Sequence, residues 1–367
     1  MSFYDEYLTY SEAMLNASFE DVTGEQVLKI IGKERLSVMD FLALLSPAAE
    51  EYLEVMAQKA YALTVQHFGR VILLYTPMYL SDYCTNQCTY CGFNLTNRFT
   101  RKQLTMEEVE AEAKNIAATG LKHILILTGD APKVAGVPYI RECVKILKKY
   151  FSSIAIEVYA LETTEYESLI DAGVESMTMY QETYNPHIYD SLHVKGPKKD
   201  YRYRLDAPER ACKAGIRAVN VGALLGLDNW RKDAFFTGIH ANYLQNQYSD
   251  IEISISLPRI RPTMGNCEQG IRVNDKNMVQ FMTAFRLFMP RAGITLSTRE
   301  TAEFRNNAIK LGVTKMSAGV NTAVGGHSDN QENSGQFAVS DTRNVEEMCQ
   351  AISQLGYQPI CKDWQIL

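Results

Sequence analysis

From Val71 onward, short apolar runs alternate with segments of helical periodicity, and that alternation leaves few folds open to the chain. Eight runs recur: VILLYTPMYL (71–80), HILILT (123–128), AIEVYA (155–160), SMTMYQ (176–181), AVNVGA (218–223), DIEISISL (250–257), GITLST (293–298) and VTKMSA (313–318). Between most of them lie stretches such as TMEEVEAEAKNIAATG, VPYIRECVKILKKYF and DKNMVQFMTAFRLFM, with apolar residues three and four apart. Several segments carry a glycine near the helix-to-strand junction, as at Gly120, Gly173, Gly215 and Gly293. Strands alternating with helices imply a parallel sheet, and eight strands is the number that closes a barrel. The fold expected is α/β: a (β/α)8 TIM-type barrel with an N-terminal helical cap and a short C-terminal helical extension.

Residues 1–69 read as helical throughout, with SPAAEEYLEVMAQKAYALTVQHFG starting at Ser46-Pro47 and stopping at Gly69. The barrel is assigned to 70–320. Residues 321–367 form a loop (NTAVGGHSDNQENSGQ), a helix and an extended tail. No low-complexity linker separates these parts, so the N-terminal helices are expected to pack on the barrel. A hydrophobic content of 46 % supports a sizeable core, and the net charge of −6 argues against a nucleic-acid or membrane-surface binder. The N-terminus has neither a basic n-region nor an apolar h-region, and no run approaches the ~18 apolar residues of a membrane span. A cytoplasmic location is expected.

The chemistry concentrates in SDYCTNQCTYCGFN, directly after the first strand, which by barrel geometry places it at the catalytic face. Three of the chain's eight cysteines, Cys84, Cys88 and Cys91, stand there at spacing CxxxCxxC. A structural zinc site takes four ligands, usually as two CxxC pairs, and no second pair or nearby histidine exists. A disulfide would strand an odd thiol. Thiolates normally fill all four ligand positions of a 4Fe–4S cluster, so three leave one iron open to an external ligand. The other five cysteines (Cys143, Cys212, Cys267, Cys349, Cys361) are scattered singly and read as ordinary reduced thiols.

CTNQCTYC, with the aromatic Tyr90 before its last cysteine, resembles the signature of the radical S-adenosylmethionine (SAM) superfamily. The resemblance implies a 4Fe–4S cluster whose open iron binds SAM and whose electron cleaves it to methionine and a 5′-deoxyadenosyl radical. It also assigns a cofactor role to strand-end residues that otherwise read blandly. Thr128, Gly129 and Asp130 correspond to the segment that hydrogen-bonds the SAM amino group, against a plain Gly/Asp turn. Glu182 would hold the SAM amine or ribose and Arg204 its carboxylate, against a surface carboxylate and a solvated cation. Gly222 and Leu224, in VGALLGL, would lie along the adenine. Tyr79, Arg299 and Ser317 end strands one, seven and eight. In the aromatic-amino-acid lyase branch, matching positions hold the substrate's carboxylate and amine, whereas unaided they read as packing or capping, with Arg299 paired to Glu300 or Glu303. The basic run from Lys195 to Arg204 otherwise reads as a solvated loop. Arg98, Arg101 and Lys102 read as a solvated helix start or, alternatively, a docking point for an acidic electron donor.

The similarity runs nearly end to end. LLSPAAEEYLEVMAQKA, YLSDYCTNQCTYCGF, YQETYN, GALLGL, LSTRE, VGGHSDN and the terminal KDW together resemble the 2-iminoacetate synthase family, the tyrosine lyases of thiazole biosynthesis. That resemblance implies hydrogen abstraction from the amino group of L-tyrosine, cleavage of Cα–Cβ, 2-iminoacetate for thiazole formation in thiamine biosynthesis, and p-cresol. It further implies a thiazole synthase subunit as partner and a flavodoxin- or ferredoxin-type electron donor. The hydrogenase-maturation tyrosine lyases share the barrel but carry clustered cysteines in a C-terminal extension, where this sequence has Cys361 alone. A tryptophan-cleaving relative would differ only in its aromatic pocket. A non-catalytic iron–sulfur carrier is disfavoured by the three-cysteine set and by Arg299.

Overall fold

The computed structural model describes residues 2–261, 271–328 and 335–363; Cys267, Trp364 and the middle of the loop after the eighth strand lie outside them. Eight parallel strands, β1 (Val71–Ser81), β2 (His123–Thr128), β3 (Ser153–Glu157), β4 (Ser176–Glu182), β5 (Ala218–Ala223), β6 (Glu252–Ser256), β7 (Gly293–Leu296) and β8 (Lys315–Ser317), form a closed barrel. Closure runs through β1, which pairs with β2 over Thr76–Ser81 and with β8 over Leu73–Tyr75.

The apolar runs separate by alternation. In β2 and β3, Ile124, Ile126, Ile154 and Ile156 are at most 1 % exposed, while His123, Leu125 and Ala155 line the barrel's interior cavities. The same rule turns Thr178, Asn220, Ser254 and Thr295 inward at the foot. There Asn220 donates to Ser256 Oγ at 2.7 Å and to Thr178 Oγ1 at 3.3 Å. Higher up, Tyr75 and Tyr180 separate this polar foot from the mouth, lining both cavities.

A ninth strand, β9 (Gln358–Ile360), realises the tail read as extended. It pairs with Val71–Leu73 of β1, below the point where β2 begins to pair. The Lys122 N–H donates to the Cys361 carbonyl at 2.7 Å. Asp363 then reaches across the foot to Arg217 at 3.3 Å and Lys315 at 3.5 Å. Cys143, Cys212, Cys349 and Cys361 are free thiols. Among the described residues no helix is long and apolar enough to cross a membrane.

The N-terminal helices pack on the barrel through its outer helices Trp230–Gln247 and Asp275–Phe288. Phe41 stacks on Phe288 at 4.7 Å and on Phe235 at 6.1 Å. Gly238 permits this approach, because a Cβ there would stand 2.2 Å from the Phe41 ring.

Past β8, the returning chain is tied to the rim by a buried ion pair. Arg305 is fully buried, and its guanidinium donates to the Asp341 carboxylate and to the Ser317 carbonyl at the end of β8. Asp341 also takes Arg343 at 2.6 Å. Removing the acid leaves a buried cation unanswered, which typically costs about 3–5 kcal/mol. Asp341→Ala should therefore lower the unfolding free energy measured by urea titration by that order, with a lower midpoint, and Asp341→Asn by less. An unchanged midpoint for Asp341→Ala would show that the pair does not stabilise the rim.

Candidate active site

The cysteine loop leaves β1 at Asp82 and is folded by its own polar side chains. Asn94 Nδ2 donates to the Cys88 carbonyl at 2.8 Å, and Asn97 Nδ2 to the Gly92 carbonyl at 2.9 Å. Arg101 donates to the carbonyls of Asp82 (2.6 Å), Phe93 (2.9 Å) and Asn94 (2.7 Å). The guanidinium thus gathers carbonyls that turn inward. The run Arg98 to Lys102 is therefore not a solvated helix start: it precedes the helix Met106–Ala118, Arg101 is built into the loop, Lys102 pairs with Glu108 at 3.0 Å, and Arg98 is exposed.

The loop docks on two neighbours. Gly129, ending β2, lies so close that a Cβ would stand 2.2 Å from the Tyr83 carbonyl, so no larger residue fits without displacing the loop. Asp130 accepts from Asn86 Nδ2 at 2.7 Å through its side chain and from Thr85 N–H at 2.9 Å through its carbonyl. In this structure Gly129 and Asp130 thus hold the cysteine loop itself, while the buried Thr128 hydroxyl has no partner among the described residues. On the other side, Gln87 N–H donates to the Lys195 carbonyl at 2.8 Å, Lys198 N–H to Asn86 Oδ1 at 3.0 Å, and Tyr90 OH meets His193 Nε2 at 2.8 Å. Burial holds His193 down at about 3, so the imidazole is neutral.

Cys84 and Cys91 are half-buried and Cys88 is buried. Burial pushes the Cys88 thiol up to about 12, Lys198 opposes that, and Cys91 and Cys84 add to it. Among the described residues no three His, Cys, Asp or Glu side chains converge on a point as a single ion requires. Three thiols spread over one loop suit a cluster that offers each a separate iron, and thiolates are the ligands such irons prefer. The donor set fits a 4Fe–4S cluster.

Beside the loop, Cys88, Tyr90 and Leu224 form a small apolar patch against Leu192, Leu227 and Ile260. Leu224 is set by β5, its N–H donating to the Glu182 carbonyl at 2.8 Å. Gly222 makes room within the barrel: a Cβ there would meet the Ser256 carbonyl at 2.5 Å and the Tyr180 ring at 3.1 Å.

Glu182 ends β4 in a left-handed backbone conformation (φ 69°), the one non-glycine residue with positive φ among those described. Such a residue is strained and persists where its surroundings hold it. Its buried carboxylate pairs with Lys198 at 2.5 Å and faces Arg204 at 3.5 Å, while Arg204 Nε donates to the Tyr180 carbonyl at 2.7 Å. Burial opposes ionisation of Glu182, but the cations beside it, Lys198 foremost, leave its carboxyl below the usual value. Lys198 was missed by reading Lys195 to Arg204 as a solvated loop. The run meets Asn86 across a sequence separation of 112 residues, and no local pattern signals that contact.

The cavity continues from Cys91, Glu182 and Leu224 into the barrel mouth. There it meets Tyr79, Arg299 and Ser317, with Glu157, Gln336 and Phe337, which sequence reasoning did not single out. Tyr79 OH donates to Gln336 Oε1 at 2.9 Å, and Ser317 Oγ accepts the Thr298 N–H at 3.1 Å. The Arg299 guanidinium lies 3.6 Å over the Phe337 ring. It pairs with neither Glu300 nor Glu303: Glu300 is taken by Arg259 and Arg261, and Arg299 forms no ion pair among the described residues.

Residues 78–235 match the radical SAM superfamily, and residues 256–358 the Biotin and Thiamin Synthesis associated domain. The chain is 38 % identical to the 2-iminoacetate synthase of Escherichia coli over 97 % of each protein. It is 40 % identical to that of Salmonella typhimurium over 93 % of this chain and 91 % of the other. The crystal structure of the FeFe-hydrogenase maturase HydG from Carboxydothermus hydrogenoformans superposes with a TM-score of 0.88 at 28 % identity, covering 95 % of this chain and 83 % of that one. A closed barrel, a three-thiol loop at its mouth and end-to-end identity of this degree lead to one assignment: the chain belongs to the 2-iminoacetate synthase family of radical SAM enzymes, which work with a 4Fe–4S cluster and SAM.

Proposed function

We propose that this chain is a lyase that cleaves the Cα–Cβ bond of L-tyrosine to 2-iminoacetate and p-cresol, the iminoacetate serving thiazole formation in thiamine biosynthesis. The observation that carries the reading is one cavity joining the cysteine loop to Arg299, which has no carboxylate within ion-pair distance among the described residues. A guanidinium enclosed in a barrel mouth is costly unless an anion meets it, and an amino-acid carboxylate is an anion of the right geometry. The family's relatives supply the substrate.

The cluster and SAM, when bound, supply a 5′-deoxyadenosyl radical. The chain's own residues do the rest. Cys84, Cys88 and Cys91 would hold the cluster and leave it open to SAM. Glu182 would take the SAM amine and Arg204, with Lys198, its carboxylate, exchanging part of their mutual pairing for the cofactor. Thr128, whose buried hydroxyl has no partner among the described residues, would add a hydrogen bond beside Gly129 and Asp130. Tyr90, Gly222 and Leu224 flank the adenine. Arg299 binds the tyrosine carboxylate, with Tyr79 and Ser317 completing the polar end of the site. Tyr79, bonded to Gln336, and Phe337, over Arg299, narrow the mouth, which would limit access of water to the hydrolysable imine. A thiazole synthase subunit would receive the imine, and a flavodoxin- or ferredoxin-type protein would supply electrons.

The test is anaerobic reconstitution followed by SAM, a strong reductant and L-tyrosine. 5′-Deoxyadenosine, p-cresol and glyoxylate from hydrolysed imine are expected by mass spectrometry. Deoxyadenosine without p-cresol would reject tyrosine as substrate, and tryptophan would be tried next. Cys88→Ala should lose both products and most of the iron, read by iron and sulfide analysis. Arg299→Met should raise the KM for tyrosine roughly 10- to 100-fold, the loss of a charged hydrogen bond, while the reduced cluster's paramagnetic response to SAM stays unchanged. A loss of that response would place Arg299 in the cofactor site instead.

A further inference from the structure

Glu157 ends β3 one row around the barrel from Tyr79 and Leu127, with which it is in register, and it lines the same cavity as Arg299. Several charges line that cavity, and most are already answered. Glu182 is paired with Lys198 and faces Arg204, and Arg261 is paired with Glu300. Two remain. Among the described residues Arg299 lies over the Phe337 face and makes no ion pair, and the Glu157 carboxyl has neither a hydrogen bond nor an ion pair, so the two feel each other's charge without contact. A cation and an anion left open in one cavity are the complement of a zwitterion, so they select an α-amino acid held by both ends of its polar head.

Resting on the tyrosine-lyase reading, we propose that Glu157 is a further catalytic residue: it binds the substrate's α-ammonium opposite Arg299 and accepts one of its protons. Passing from the ammonium to the neutral imine removes one proton and one hydrogen atom from nitrogen. The hydrogen atom is the radical's share, and the proton needs a base. One N–H bond breaks, its electron pair stays on nitrogen, and an O–H bond forms on Glu157, with no change of oxidation state. Around this carboxyl stand Arg299, Lys198, Arg204 and Glu182, with the phenols of Tyr75, Tyr79 and Tyr180. Burial first, and the Glu182 carboxylate second, push Glu157 up to about 7, against the pull of the three cations. A base suited to neutral pH has an affinity near that range.

The experiment uses the holoenzyme with its cluster oxidised and SAM saturating, so that nothing turns over. Equilibrium binding of L-tyrosine is compared with that of 3-(4-hydroxyphenyl)propanoate, which has the carboxylate and phenol but no amine. Glu157→Gln should weaken tyrosine binding about 10-fold or more and leave the desamino acid unaffected. In the wild type, tyrosine should bind more tightly as pH rises through the ionisation of Glu157, and in Glu157→Gln this slope should vanish. Under reducing conditions p-cresol formation should fall about 100-fold, with partial recovery in Glu157→Asp. Equal weakening of both compounds would overturn the assignment by making Glu157 a structural residue, and so would unchanged tyrosine affinity. A wild-type enzyme that binds SAM but makes no p-cresol would instead sink the lyase reading, and this assignment with it.

Discussion

Barrel closure at β1 is the constraint on which the site depends. β1 is hydrogen-bonded along both edges, to β8 on one side and to β2 and then β9 on the other. The cysteine loop begins where this strand ends, at Asp82, so any slip in the register of β1 would move the three thiols relative to β4 and β7. Asp82 makes the junction stiff: its carboxylate accepts the Lys102 N–H at 2.7 Å, and its carbonyl takes Arg101. β9 acts at the opposite end. It fills the wedge where β1 and β2 have not yet met, and a short C-terminal strand at the foot thereby fixes the strand that carries the site at the mouth.

Charge is the second constraint, because the charged groups of the mouth are buried or half-buried. Interactions between charges strengthen there, and so does the cost of leaving any of them unanswered. Glu182, Lys198 and Arg204 answer one another across β4 and the 197–204 segment, and the strained backbone of Glu182 is held by that grip. Arg286 and Arg305 show how the chain treats cations that carry no ligand. Arg286 donates to the carbonyls of Ala292 (2.6 Å) and Gly312 (2.7 Å), and Arg305 reaches Asp341 and Ser317. Among the described residues Arg299 receives no such treatment, although it is ringed by the same kinds of group.

How much of this was legible in the sequence follows from how local each signal is. The eight strands were readable because each is a short apolar run bounded by helices, and the three cysteines because their spacing carries chemistry by itself. Arg299 stood out as a charge at a strand end. The tail could be read as extended, but its partner, β1, lies nearly 290 residues away in the chain, and no pattern in QPI points there. Lys198 and Arg101 misled for a shared reason. Both are long cations in polar surroundings, and only the folded loop shows that one reaches a buried carboxylate and the other a set of carbonyls. Glu157 sits inside an otherwise apolar run, AIEVYA, where alternation could have turned it toward the barrel interior. That reading needs the phase of the strand, which the neighbouring strands fix.

The loop after β8 joins the two halves of the site. Gly92, one residue past Cys91, lies against the Gln336 carbonyl, where a Cβ would stand only 2.7 Å away. Gln336 in turn accepts the Tyr79 hydroxyl, and the adjacent Phe337 covers Arg299. The cysteine loop, the substrate-side phenol and the open guanidinium therefore share one segment of backbone. Its position depends on the rim anchor of Arg305 and Asp341 a few residues further on. Narrowing the mouth and setting the thiols are in this way one packing problem. A glycine at position 92 solves it by letting the returning chain approach the cysteine loop more closely than any side chain would allow.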